Sequence, residues 1–181
     1  MTPPCRTFRS NLGFRLMAAE FRIRDLLWPR RAILEEAGTR PGMRVLDYGC
    51  GPGSYVLPAS QMVGETGRIY ALDMHPLAIA RIRKLCARRK LTNVTTILSD
   101  CNTGLGESEV DVALLHDVLH DVEDPALLLR ELHRVLKPQG LLSASDHHLK
   151  GQRLVTLVTE QGPFRLLRKG RWSYDFVPAD I

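Results

Sequence analysis

Val45-Leu46-Asp47-Tyr48-Gly49-Cys50-Gly51-Pro52-Gly53 reads as a buried strand that runs into a glycine-rich turn and then into a helix. Glycines at a strand-to-helix turn let the backbone fold tightly and come close to a ligand without Cβ interference, while the helix start offers unpaired N–H groups. A nucleotide-like cofactor suits such a turn, although a lone glycine loop is more often a tight turn with nothing bound. Two acids further along the chain shift the balance. Asp73 closes the next apolar run twenty residues after Gly53, where a carboxylate accepts two hydrogen bonds from a ribose diol. Asp100 closes a third run, Ile97-Leu98-Ser99-Asp100-Cys101, in reach of the next part of the same ligand. An acid at one strand end is an ordinary turn former; three such signals in register are much harder to explain as turns alone.

Outward from this turn, short β-branched runs alternate with helical patterns. Strands are predicted at Met43–Tyr48, Gly67–Asp73, Asn93–Ser99, Val110–His116 and Gly140–Asp146, with helices at Ser54–Val63, Pro76–Arg89 and Pro125–Leu136. That alternation means βαβ units on a parallel sheet. Asp124-Pro125 supplies an N-cap and a first-turn proline, and Lys137-Pro138-Gln139-Gly140 is predicted to stop the helix and turn the chain into the fifth strand. Leu12–Gly38 reads as helical with a break at Trp28-Pro29. A helix over Gln152–Gln161 precedes an antiparallel hairpin of Phe164–Lys169 and Trp172–Val177 around a basic turn at Gly170.

The chain has 181 residues, 44% hydrophobic and 25% charged, the composition of a folded domain rather than a disordered segment. No apolar run nears the roughly 18 residues of a membrane span, and residues 1–9 lack a leader-like stretch, so a cytoplasmic location is expected. The cysteines Cys5, Cys50, Cys86 and Cys101 are scattered without metal or redox spacing, and no disulfide framework is expected. Residues 1–44 carry nine arginines against four acids, which accounts for the whole net charge of +5. A solvated basic face explains this better than an anionic partner does; nucleic acid is an open but unfavoured partner.

The combination resembles the class I S-adenosylmethionine-dependent methyltransferases, specifically the small-molecule, type 11-like group. Asp47-x-Gly49-x-Gly51-x-Gly53 matches the first motif, Asp73 the ribose-binding acid, and Asp100-Cys101 the adenine-contacting strand end. Val110 to His120 matches the fourth strand with the Leu-His signature after it, and Arg134-Val135-Leu136-Lys137-Pro138-Gln139-Gly140 the following turn, with Gln139 in place of the usual glycine. The resemblance spans about residues 30–178. It implies an α/β, Rossmann-like, doubly wound sheet of seven strands, mostly parallel, whose C-terminal hairpin supplies an antiparallel strand. The helical pattern of the N-terminal stretch adds an expected arm or lid over residues 1–38, ahead of a catalytic domain over 39–181. The implied cofactor is S-adenosyl-L-methionine, with Gly49, Gly51 and Gly53 around its methionine part, Asp47 at its amino group, Asp73 at the ribose, Met74, Asp100 and Cys101 at adenine, and His116 near the methyl.

His116, Asp146 and His147 are the candidate catalytic residues, because imidazole titrates near neutral pH and both strand tips lie over the expected site. No metal is expected; a divalent ion held by His116, Asp146 and one of the paired histidines is the less favoured arrangement. His120 is expected to make a local structural contact. A nicotinamide-dependent dehydrogenase fits poorly, since Asp47 stands at the first strand's end and Ser54 occupies the position of the third glycine. A non-catalytic cofactor-binding module and an RNA methyltransferase remain the alternatives to an enzyme acting on a small molecule. The acceptor atom is not written in the sequence.

Overall fold

The computed structural model describes residues 10–14 and 30–179. Residues 11–14 are helical (α1), and the described residues continue as α2 (Arg30–Glu36), β1 (Arg44–Tyr48), α3 (Val56–Val63), β2 (Arg68–Asp73), α4 (Pro76–Arg89), β3 (Val94–Leu98), β4 (Val110–His116), α5 (Pro125–Val135), β5 (Leu136–Ser145), α6 (Gly151–Gln161), β6 (Phe164–Lys169) and β7 (Tyr174–Pro178). A 3-10 turn at Leu119–Asp121 follows β4.

One seven-stranded sheet runs in the order β3-β2-β1-β4-β5-β7-β6. Strands β1 to β5 are parallel, and β7 runs against both β5 and β6, as the sequence predicts. Because side chains alternate along a strand, each central strand feeds two cores. Val45 and Leu114 pack with Ile33, Leu34, Ala59 and Val63 of α2 and α3. Leu46, Tyr48, Ala113 and Leu115 pack on the other face with Leu128, Leu132, Leu154 and Val158 of α5 and α6. Ala71 and Ile82 join α4 to the first face. Each fully buried leucine of this kind stabilises the fold by about 1.5–3 kcal/mol.

Helix starts follow their local chemistry. The Asp124 carboxylate accepts from Leu127 N at 3.0 Å and His75 Nδ1 accepts from Leu77 N at 3.2 Å, in both cases with a proline opening the helix. The sequence-predicted start of α3 at Ser54 is two residues early: Gly53 stands at φ 88° and its N–H returns to Cys50 O, so the turn continues and helical geometry begins at Val56. The predicted turn at Lys137–Gly140 is also corrected. Strand β5 begins at Leu136 directly out of α5, and a step of two residues on β4 (Val110 to Val112) is matched by a step of five on β5 (Leu136 to Leu141). The helix does stop at Val135, but Pro138 is absorbed by a bulge instead of a separate loop. At the far edge, the second hairpin strand begins at Tyr174 rather than Trp172, because the Glu36 carboxylate accepts from the N–H groups of Arg171, Trp172 and Ser173 at 2.9, 3.0 and 3.1 Å and takes them out of the ladder. Most of the arm expected over residues 1–38 lies outside the described residues, including the Trp28-Pro29 break.

Among the described residues no helix is long and apolar enough to cross a membrane. Cys50 and Cys86 form no disulfide, whereas Cys101 is disulfide-bonded, contrary to the expectation from spacing. Linear spacing does not report which sulfurs meet in space, so this bond has no signature in the sequence.

Candidate active site

The carboxyl ends of β1, β2 and β3 form one half of the site. Gly49 and Cys50 both donate to Leu72 O, at 2.8 and 2.9 Å, which folds the chain leaving β1 across the tip of β2. Gly49, Gly51 and Gly53 have φ of 73°, 49° and 88°, a left-handed run that glycine adopts without penalty. Asp73 locks this turn in place. Its Oδ2 accepts from Gly51 N at 2.9 Å and its Oδ1 from His75 N at 2.8 Å, so one carboxylate ties the glycine turn to the start of α4 and each oxygen keeps a second lone pair. Tyr48 Oη donates to Asp100 O at 2.8 Å and fixes the loop after β3 beside them. Phe14 is buried against the His75 ring, with centroids 4.5 Å apart, and so closes the edge next to Asp73 and Met74.

Beneath the glycine turn, Asp47 is buried and its Oδ2 has no hydrogen-bond partner among the described residues. Burial first, and the neighbouring Asp73 second, push its carboxyl up to about 7 against the opposing pull of Arg30. A buried oxygen left without a donor is costly and rare. The cradle of left-handed glycines, the orphaned acid and the diol-ready carboxylate together fit a ligand with a cationic amino group and a ribose. The residues present therefore match S-adenosylmethionine.

A stacked column joins this half to the next. Arg30 Nη1 donates to Tyr55 Oη at 3.0 Å with its guanidinium 5.0 Å from the ring centroid, and Tyr55 in turn stacks on His116 at 5.0 Å. Burial pushes the Tyr55 phenol up to about 12, opposed by Arg30, so it stays protonated. His116 Nδ1 lies 2.7 Å from Ser145 Oγ across the β4–β5 pair.

The tips of β4 and β5 form the second half, where histidines replace glycines. Asp146 Oδ2 accepts from both His120 N (3.1 Å) and His120 Nδ1 (2.9 Å), and Asp117 Oδ1 accepts from both His147 N (3.0 Å) and His147 Nδ1 (2.6 Å). Burial raises the Asp146 carboxyl, but the hydrogen bond and charge of His120 and the amides of His148 and His120 outweigh it and hold the group below its ordinary value. His148 sits against both partners, with ring centroids 4.1 Å from His120 and 3.9 Å from His147. The ligand-type atoms of Asp117, Asp146 and His147 lie within 4.8 Å of one another; of the set considered for a metal from sequence, Asp146 and one paired histidine are in this group, and Asp117 stands in place of His116.

The sequence-predicted residues thus divide between two clusters. Asp47, Gly49, Gly51, Gly53, Asp73 and Met74 meet at the β1–β2 tips; Asp100 and Cys101 follow β3, which ends at Leu98; His116 is the last residue of β4; and Asp146 and His147 follow β5. Sequence reading gave no role to Arg30, Tyr55, Asp117 or Ser145. Tyr55 lies two residues past the glycine turn and Asp117 directly past β4, but only the pairing of β4 with β5 brings Asp117 to His147.

Comparison with known proteins agrees with this geometry. The profile of a methyltransferase domain matches residues 39–166. A ubiquinone/menaquinone biosynthesis C-methyltransferase of Shewanella sp. (strain ANA-3) is 30% identical over 143 residues, 77% of this chain and 57% of that protein. An uncharacterized protein in transposon TN4556 of Streptomyces fradiae is 33% identical over 117 residues, 62% of this chain and 32% of its own length. The chain therefore spans less than two thirds of these relatives. Among solved structures, a SAM-dependent methyltransferase from Aquifex aeolicus superposes with a TM-score of 0.77 at 26% identity, covering 88% of this chain and 98% of that one. Coclaurine N-methyltransferase bound to N-methylheliamine and SAH, at 24% identity and a TM-score of 0.56 over 79% of this chain and 39% of its own, shares the fold. With its profile matched across most of the length, this chain belongs to the methyltransferase domain family.

Proposed function

We propose that the protein transfers a methyl group from S-adenosylmethionine to a small-molecule acceptor, with the donor over the tips of β1–β3 and the acceptor over those of β4 and β5. The observation that carries this reading is Asp47, buried beneath the glycine turn with an oxygen that lacks a donor until a ligand brings one. When bound, S-adenosylmethionine supplies a methyl already activated on a sulfonium sulfur, so alignment of the acceptor accounts for most of the catalysis.

The chain's own residues divide that work. Asp47 meets the amino group and Asp73 the ribose hydroxyls, while the backbone of Gly49 and Gly51 approaches the methionine part and Gly53 keeps the turn tight. Met74, Asp100 and Cys101 border the adenine. Phe14, stacked on His75, covers the ribose edge and excludes water. His116, held by Ser145 and stacked on Tyr55, lines the methyl end. His147 takes the proton that the acceptor loses as its new bond to carbon forms, and Asp146 acts through His120. The C-methyltransferase relatives act in ubiquinone/menaquinone biosynthesis, which supports an electron-rich hydroxylated ring as the first acceptor class to test.

Calorimetric titration with S-adenosylmethionine, run beside NADH and an Asp73→Ala variant, tests the reading. Micromolar binding of S-adenosylmethionine, absent for NADH and lost in the variant, is expected. No binding by the wild-type protein overturns the reading and leaves a scaffold without the cofactor.

A further inference from the structure

The two histidine–aspartate pairs at the β4 and β5 tips are built alike and cross each other. Asp117, one residue past β4, holds His147, two residues past the end of β5; Asp146, one residue past β5, holds His120, four residues past the end of β4. In each pair a single carboxylate oxygen accepts from both the backbone N–H and the ring Nδ1 of the same histidine. An ionised carboxylate only accepts hydrogen bonds, so the ring nitrogen facing it must carry the proton. Both imidazoles are therefore set as the Nδ1–H form, which leaves Nε2 as the basic nitrogen.

The pairs differ in access. The His120 side chain is 14% exposed and its carboxylate is fully buried, whereas His147 is 51% exposed. Only His147 can present Nε2 to a molecule arriving from solvent. Its ring does not swing freely, because Asp117 clamps backbone and ring at once. Asp117 itself is held at φ 56°, an unfavourable conformation for a residue with a Cβ, while its own N–H bonds Ser145 O at 2.8 Å across the strand pair. Backbone geometry, carboxylate and imidazole converge on one outcome.

We propose that Asp117 is a positioning residue that fixes His147 in the Nδ1–H form so that Nε2 serves as the general base for the acceptor, with Asp146 and His120 as the buried pair that braces it. This rests on the methyltransferase reading above for the identity of the reaction. For a hydroxylated ring the balance is complete. The ring carbon forms a bond to the methyl as the S–CH3 bond breaks, the sulfur keeps that electron pair as a neutral thioether, and the proton lost by the acceptor goes to Nε2 of His147, giving an imidazolium stabilised by Asp117. No oxidant or metal enters the step.

The test uses the full chain and three variants, Asp117→Asn, Asp117→Glu and His147→Gln. Long-range proton–nitrogen NMR reports which ring nitrogen carries the proton, and the signal missing in His147→Gln assigns His147. The wild-type protein is expected to show the Nδ1–H form, Asp117→Asn a majority of the Nε2–H form, and Asp117→Glu a return to Nδ1–H. A wild-type His147 in the Nε2–H form overturns the proposal whether or not an acceptor is known. With 1,4-dihydroxynaphthalene as acceptor, Asp117→Asn is expected to lower kcat about 100-fold with KM changed less than twofold, and Asp117→Glu to recover most of it. S-adenosylmethionine affinity should stay within twofold throughout, which serves as the folding control. An Asp117→Asn enzyme with wild-type kcat overturns the proposal. A wild-type enzyme that binds S-adenosylmethionine but leaves this naphthalenediol unmethylated removes the ring-acceptor reading, and the NMR result then decides the role of Asp117 separately.

Discussion

The tips of β1–β3 and of β4–β5 are two solutions to the same problem of presenting polar groups at the end of a parallel sheet. In the first, backbone does the work: three left-handed glycines turn the chain, and one carboxylate holds Gly51 and His75 by their N–H groups. In the second, side chain meets side chain, in pairs separated by 26 and 30 residues along the sequence. A site made from backbone recognises a constant ligand, because turn geometry cannot be altered one substituent at a time. A site made from histidines and carboxylates can be retuned by single substitutions, which suits the half proposed to face the acceptor.

The sharpest contrast between the halves comes from Asp73→Ala. It removes the proposed diol contact and strands two buried N–H groups, each costing about 1–3 kcal/mol. Calorimetry is expected to show S-adenosylmethionine affinity down at least 100-fold, with Tm lowered as well. Asp117→Asn, in the other half, should leave that affinity untouched, and equal losses in both variants would show that the two halves are not separate.

A smaller effect is expected from Asp47. Its carboxyl is pushed up to about 7 from 3.8 by burial and by Asp73, so the folded protein retains a proton that the unfolded chain has already released between about pH 4 and 7. Stability without ligand therefore falls as pH rises through that window. A cationic amino group favours the ionised acid, so S-adenosylmethionine should bind about tenfold more tightly at pH 8 than at pH 6, with proton release seen as a dependence of the heat on buffer near pH 7. Asp47→Asn should abolish both the pH dependence and the proton release.

Gly53→Ala probes the backbone half directly. At φ 88° any side chain is strained, and the new Cβ would stand 3.2 Å from Ile82 Cγ1. A loss of roughly 1–2 kcal/mol is expected in denaturant unfolding; an unchanged midpoint would mean that the turn relaxes at no cost. Ser145→Ala should have a lesser effect, lowering turnover two- to threefold, on the order of half a kcal/mol, with cofactor affinity constant. Least of all, a strong chelator should change neither turnover nor the His147 ring protonation. A change in either would make Asp117, Asp146 and His147 metal ligands instead of hydrogen-bonded partners.

Much of this protein is legible as text because its fold is assembled from local signals. A near-continuous apolar run places β4 at Val110–His116, and Pro76 and the Asp124-Pro125 pair open α4 and α5 at the expected residues. The glycine spacing after β1 and the acid closing β2 mark out the half proposed for the cofactor, since a tight turn and a strand-end carboxylate each need particular residues at particular places. The bulge that absorbs Lys137–Gly140, the disulfide at Cys101 and the Glu36 clamp on the hairpin turn carry no comparable signal, being products of register and proximity.

The acceptor half shows the same limit in its chemistry. His116, Asp146 and His147 are visible as polar residues at strand ends, but which carboxylate serves which imidazole follows from the parallel pairing of β4 with β5, which sets Asp117 beside His147 and Asp146 beside His120. Sequence order would have joined Asp146 to its neighbour His147. Adjacent side chains on an extended backbone point apart, whereas residues on paired strands are brought together, and so the chain alone specifies the glycine turn while the folded sheet assigns which carboxylate meets which imidazole.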